Sequence, residues 1–179
     1  MSMITKIATL DTILNAHSEF LGRDFTAYRN HTYRIVNLCA VQLSSQPLPI
    51  EKLAIAAAFH DMGIWTDGTF DYLAPSVRLA ATYLEDDGKA DWIEDITDII
   101  LNHHKIRRYP DQRDGLVEVF RKADWADVSL GIVRHGIPKF AIREAHAVWP
   151  SEGFHKKLIQ LELARLRTHP WNPLPMLKL

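Results

Sequence analysis

AAAFHDMGIW, residues 56–65, sets a histidine and an aspartate side by side at the end of an apolar run. Upstream, residues 50–60 are almost wholly apolar, so this segment reads as a central helix. Met62-Gly63 then reads as its C-terminal stop. Both His60 and Asp61 are costly to bury without partners. The question is what satisfies them.

Working outward, helical periodicity runs through nearly the whole chain. Residues 5–21 form an amphipathic segment in which Ile7, Leu10, Leu14 and Phe20 or Leu21 recur. A longer helix is expected from Thr26 to about Ser44, stopped by Gln46-Pro47-Leu48-Pro49. Residues 64–73 read as a loop. Pro75 opens the next helix, which runs through Leu84. Asp91 is placed to cap a helix reaching His103 or His104. Residues 105–114 read as a basic loop. Further helices fit 115–130, 139–148 and 152–168, and the tail from His169 is broken by prolines. No strand-like alternation, internal repeat or low-complexity tract is present. The expected fold is all-α: one irregular helical bundle over 1–179, with a core at about 25–130 and C-terminal helices and tail at 138–179.

Composition sets limits on function. The chain has 179 residues, 47% hydrophobic and 24% charged, enough for a sizeable core in one domain. A formal net charge of −1 supplies no field toward a nucleic acid polymer or a membrane surface. The single cysteine, Cys39, cannot form an internal disulfide, so a reducing, cytoplasmic setting is the expectation. No stretch reaches the roughly 18–20 apolar residues of a membrane span, and the first twenty residues lack a signal-peptide apolar core. The count of nine histidines stands out, and position must decide which of them matter.

Several polar residues interrupt the apolar helix faces. Tyr28, His31, Ile35, Leu38 and Gln42 share one face, so His31 points inward. His60 follows Ile55, Ala56 and Phe59. Trp92, Ile96, Ile99 and His103 form a stripe, with Ile93, Ile100 and His104 beside it. Val117, Phe120, Asp124 and Val128 form another. Imidazoles and carboxylates on the inward faces of four helices are explained together by one divalent cation, which neutralises the aspartates and takes neutral ring nitrogens. His60 and Asp61 then read as metal ligands.

The order His31, then His60-Asp61, then Asp124 is an H…HD…D pattern. It resembles the HD-domain superfamily of metal-dependent phosphohydrolases, and the resemblance spans roughly residues 25–130. It implies that His31, His60, Asp61 and Asp124 hold one metal ion of the Mn, Co, Ni, Zn, Fe or Mg kind. In superfamily members with two metals, extra histidines between the HD pair and the last aspartate hold the second. Asn102-His103-His104 looks like such a position, with Asp61 as the bridge, although no histidine lies between 61 and 103. The implied activity is hydrolysis of a small phosphate ester, a nucleotide among the candidates, by a metal-activated water. Asp61, His103, His104 and Lys105 are the catalytic candidates. Arg34, Lys105, Arg107 and Arg108 are the phosphate-binding candidates.

Further expectations concern neighbouring residues. Asp127 lies one turn from Asp124, as a partner to the ligands or as a surface carboxylate. Asp67 and Asp71 are placed to line a pocket mouth. The tryptophans at 65, 92 and 125 read as core. His17, His135, His146, His155 and His169 fall outside any pattern. Two other functions stand beside hydrolysis: a di-iron oxygenase of the same superfamily, which needs more histidines, and a non-catalytic metal-stabilised sensing module. A homo-oligomer is open, since Trp171 and Leu174 in the tail offer apolar groups to a partner or to the domain itself.

Overall fold

The computed structural model describes residues 2–44, 47–110, 115–171 and 175–177. Among them there is no strand. Ten α-helices run in the order α1 (Ala8–Ala16), α2 (Ser18–Leu21), α3 (Phe25–Gln42), α4 (Ile50–Phe59), α5 (Gly63–Thr66), α6 (Leu73–Asp86), α7 (Ile93–Asn102), α8 (Leu116–Val128), α9 (Lys139–Val148) and α10 (Phe154–Thr168). Short 3₁₀ turns at Gly22–Asp24 and Ala90–Trp92 precede α3 and α7. No helix among the described residues is long and apolar enough to cross a membrane.

Helix α4 is the central element, as its composition requires. Leu53 through Phe59 are all buried, and one contiguous apolar core includes residues from Ile7 to Phe154. Around α4 pack α1, α3, α6 and α7, while α8 lies against α3 and α7. This places the buried face of α3, the end of α4, the end of α7 and the middle of α8 around one point. Each of the four contributes a polar residue there.

Three local expectations are corrected. Met62-Gly63 is not a helix stop. α4 ends at Phe59, and Gly63 opens the turn α5 within what was expected to be a loop. The glycine serves a close approach: a Cβ there would lie 2.5 Å from the Tyr72 carbonyl oxygen and 2.8 Å from Pro75 Cβ. Asp91 does not cap α7. It lies inside the preceding 3₁₀ turn, and Trp92 holds the N-cap position without a side-chain bond. The proposed stop at Gln46 and the loop tip at 111–114 lie outside the described residues, and so does Leu174.

Candidate metal centre

Four side chains from two helices and one turn meet in the interior. His31 stands mid-α3 and Asp124 mid-α8. His60 and Asp61 follow α4 directly. All are buried, His31, His60 and Asp124 completely. His31 Nε2 lies 3.1 Å from His60 Nε2, 3.6 Å from Asp124 Oδ1 and 4.0 Å from Asp61 Oδ2. His60 Nε2 lies 3.3 Å from Asp61 Oδ2 and 3.9 Å from Asp124 Oδ1. Ligand atoms about 2.1 Å from a shared ion stand about 3 to 4.2 Å apart, from adjacent to opposite positions, so these separations match a coordination shell.

The ring nitrogens are oriented for that role. His31 Nδ1 donates to Asp127 Oδ2 at 2.7 Å, and His60 Nδ1 donates to the Ala57 carbonyl at 2.8 Å. With the proton fixed on Nδ1, each neutral ring turns a bare Nε2 inward, and two bare nitrogens 3.1 Å apart need a positive charge between them. Tyr28 steadies the turn: its hydroxyl donates to the Ala58 carbonyl at 3.0 Å and accepts from the Asp61 backbone N–H at 3.3 Å.

A second group adjoins the first. Asp61, His103 and His104 offer ligand atoms that lie within 4.8 Å of one another. His103 Nε2 is 3.4 Å from Asp61 Oδ1, and His104 Nδ1 is 3.3 Å from Asp124 Oδ2. His103 Nδ1 donates to the Ile100 carbonyl at 2.7 Å, so its Nε2 also faces inward as an acceptor. Both histidines therefore face the carboxylates. Arg121 and Trp125 on α8 fix this stretch by donating to the Lys105 carbonyl at 3.0 and 3.3 Å.

The test of whether these residues suit a metal lies in their unmet bonding. Asp61 Oδ1 and both carboxylate oxygens of Asp124 are buried and accept no hydrogen bond. Unsatisfied buried carboxylate oxygens are expensive unless a cation meets them. The electrostatics of the cluster points the same way. Burial and the charges of Asp61 and Asp127 push the Asp124 carboxyl well above the usual carboxylate range. Burial opposes charge on His60, yet the Asp61 and Asp124 carboxylates outweigh it and raise the ring to about 8. The cluster thus draws protons where a metal would sit. Burial lowers His31 to about 4 and holds His103 and His104 below the ordinary imidazole value, which keeps these rings neutral and able to ligate.

Behind the ligands sits Asp127, which the sequence left between two readings. It is fully buried. It accepts from His31, and Arg34 Nε and Nη2 donate to it at 2.6 and 2.9 Å. His146 Nε2 approaches its Oδ1 to 3.2 Å, and His155 Nε2 donates to its carbonyl oxygen at 3.0 Å. Arg34 is therefore no phosphate clamp. It is fully buried, and its remaining donor goes to the Trp149 carbonyl at 2.8 Å. His146 and His155, which fell outside any sequence pattern, help frame this support.

The centre opens on a cavity of about 240 Å³ lined by Asp61 and His104 at its floor, with Tyr72, Phe70, Trp125 and Met176 among its walls. Trp125 is thus a cavity wall as well as a core residue. Trp65 is not in the lining and donates instead to Asp24 at 3.0 Å. The cations expected to bind phosphate do not line the cavity. Arg107 and Arg108 are exposed beyond α7, and Lys105 contributes its carbonyl to the fold. Asp67 pairs with Arg78 on the surface, and Asp71 pairs with Arg165 beside an adjoining groove.

A family model described as HD domain matches residues 28–129, more than half of the chain and all six candidate ligands. The chain belongs to the HD-domain superfamily of metal-dependent phosphohydrolases. Searches of curated proteins and of solved structures returned no significant match.

Proposed function

We propose that this protein hydrolyses a small phosphate ester at a metal centre held by His31, His60, Asp61 and Asp124, with Asp61, His103 and His104 holding a second ion. The observation that carries this reading is the pair of ligand groups joined through Asp61, with three orphaned carboxylate oxygens between them. Bound divalent metal lowers the pKa of water and offsets charge on a phosphoryl group. The chain's own contribution is placement. Asp127 and the Ala57 and Ile100 carbonyls fix the rings of His31, His60 and His103, so little reorganisation is left for the reaction. Asp61 and His104 meet substrate at the cavity floor, and the apolar walls exclude water around the ester.

The test is metal analysis with activity. Wild-type protein purified without chelator is expected to carry Mn, Co, Ni, Zn or Mg, and His60→Ala and Asp61→Ala to lose it. Loaded wild type is expected to release nitrophenol from 4-nitrophenyl phosphate or its bis-ester, which separates monoesterase from diesterase action. Protein that stays empty in excess metal would end the reading. The His103–His104–Asp61 group also favours a second reading, a di-iron oxygenase. About two irons per chain with substrate-dependent oxygen uptake, and no ester hydrolysis, would establish it instead.

A further inference from the structure

The cavity wall above the metal floor carries one feature that phosphate chemistry does not call for. Among the described residues lining it, none is lysine or arginine, and the charged side chain away from the floor is Glu162. Around it stand Ile64, Val128 and Leu158, with the aromatic rings of Phe70, Tyr72 and Trp125 lining the same space. Glu162 lies on α10, the helix whose first residue, Phe154, stacks on the His31 ring at 4.0 Å. Eight residues of helix put Glu162 about 12 Å further along the axis. The nearest cation on its own helix, Arg165, is turned away to Asp71, with contacts of 2.8 and 3.2 Å. Glu162 is exposed at the cavity rim, and the burial it does have raises its carboxyl.

We infer that this site takes a phosphate ester bearing an ammonium group at its far end, with Glu162 and the aromatic walls as the ammonium subsite. The inference rests on the phosphohydrolase reading for the phosphate end. An anionic rim disfavours polyphosphates, whose distal charges would meet Glu162 at the cavity mouth. Aromatic faces with a carboxylate suit an alkylammonium, through cation–π attraction and direct charge pairing. The 240 Å³ volume lies below the range of about 300–1,000 Å³ usual for drug-sized ligands, which favours a short linker between the two ends.

The experiment compares O-phosphocholine with its uncharged carbon isostere, 3,3-dimethylbutyl phosphate, on manganese-loaded full-length protein. Wild type is expected to favour phosphocholine in kcat/KM by about ten-fold, expressed in KM. Glu162→Gln is expected to bring the ratio toward one, and Glu162→Lys to invert it. Equal efficiency in wild type, or a preference that survives Glu162→Gln, would overturn the inference. Calorimetric dissociation constants for the same two esters read the subsite without turnover. If 4-nitrophenyl phosphate and both esters resist hydrolysis while a Glu162-dependent binding preference remains, the subsite stands and the hydrolase reading falls. Equal affinities for the two esters overturn the subsite whatever the activity.

Discussion

At the scale of single residues, Asp127 decides how well the centre is built. It holds the His31 ring through Nδ1 and is the counter-charge of a guanidinium with no exposure to water. Asp127→Asn keeps the shape but removes the charge, stranding Arg34. The expected loss is about 3–5 kcal/mol of stability, read by urea unfolding. Metal affinity should also fall by about 10–100-fold, read by titration, because the imidazole loses its orienting partner. A variant with native stability and native affinity would show that Arg34 and His31 find other partners. Proton competition gives a second expectation. In metal-free protein His60, raised to about 8, holds a proton near neutrality, and the upward shift of Asp124 favours its protonated form, so protons compete for the site. Binding must expel them, so apparent affinity should rise at least about ten-fold from pH 6 to 8, with protons released to buffer. A flat pH profile would contradict this. His31, His60 and Asp124 were legible as candidates because each interrupts an apolar face at helical spacing, and Asp61 because it stands beside His60 at the end of an apolar run. Arg34 was misread because its position one turn after His31 says nothing about a carboxylate 93 residues away.

At the scale of elements, the turn after the HD pair sets the spacing between the centre and its cavity. Gly63 N–H donates to Ser76 Oγ at 3.0 Å, and its Cα sits against the start of α6. Gly63→Ala would drive a methyl into the Tyr72 carbonyl and Pro75, backbone and ring atoms that cannot swing aside. The expected cost is about 1–3 kcal/mol, seen as a lower midpoint in denaturant. Because Tyr72 is both a cavity wall and a neighbour of His103, at 3.5 Å between its hydroxyl and Nε2, KM should rise as well. Unaltered stability would mean that α6 slides freely on the turn. The helices themselves were readable from period and breakers, and α3, α4, α9 and α10 begin and end close to where apolar spacing places them. The misreading at Met62-Gly63 has a physical cause. Glycine marks a helix end and a tight contact alike, and the contact partner, Tyr72, is nine residues on.

At the scale of the whole molecule, the cavity is closed by parts of the chain far apart in sequence. Met176 is buried against Ile64, Phe70 and Tyr72, and with Leu177 and Trp125 it lines the cavity. No periodic signal in a proline-broken tail announces such a contact, since it depends on α10 carrying the chain back across the mouth. The Arg165–Asp71 pair and the Phe154 ring on His31 hold that helix at its two ends. The ligand cluster, by contrast, depends on α3, α4, α7 and α8 and on Asp127 behind them. Wall and centre should therefore separate experimentally. Deleting residues 175–179 removes a buried methionine, a loss of about 1.5–3 kcal/mol, and bares the aromatic wall. Metal content should stay at the wild-type level, while KM for an ester substrate rises and the melting temperature falls by several degrees. Loss of metal in the truncated protein would show that the tail supports the ligands themselves. An unchanged KM would show that substrate is held by the floor alone, with the tail a passive cover.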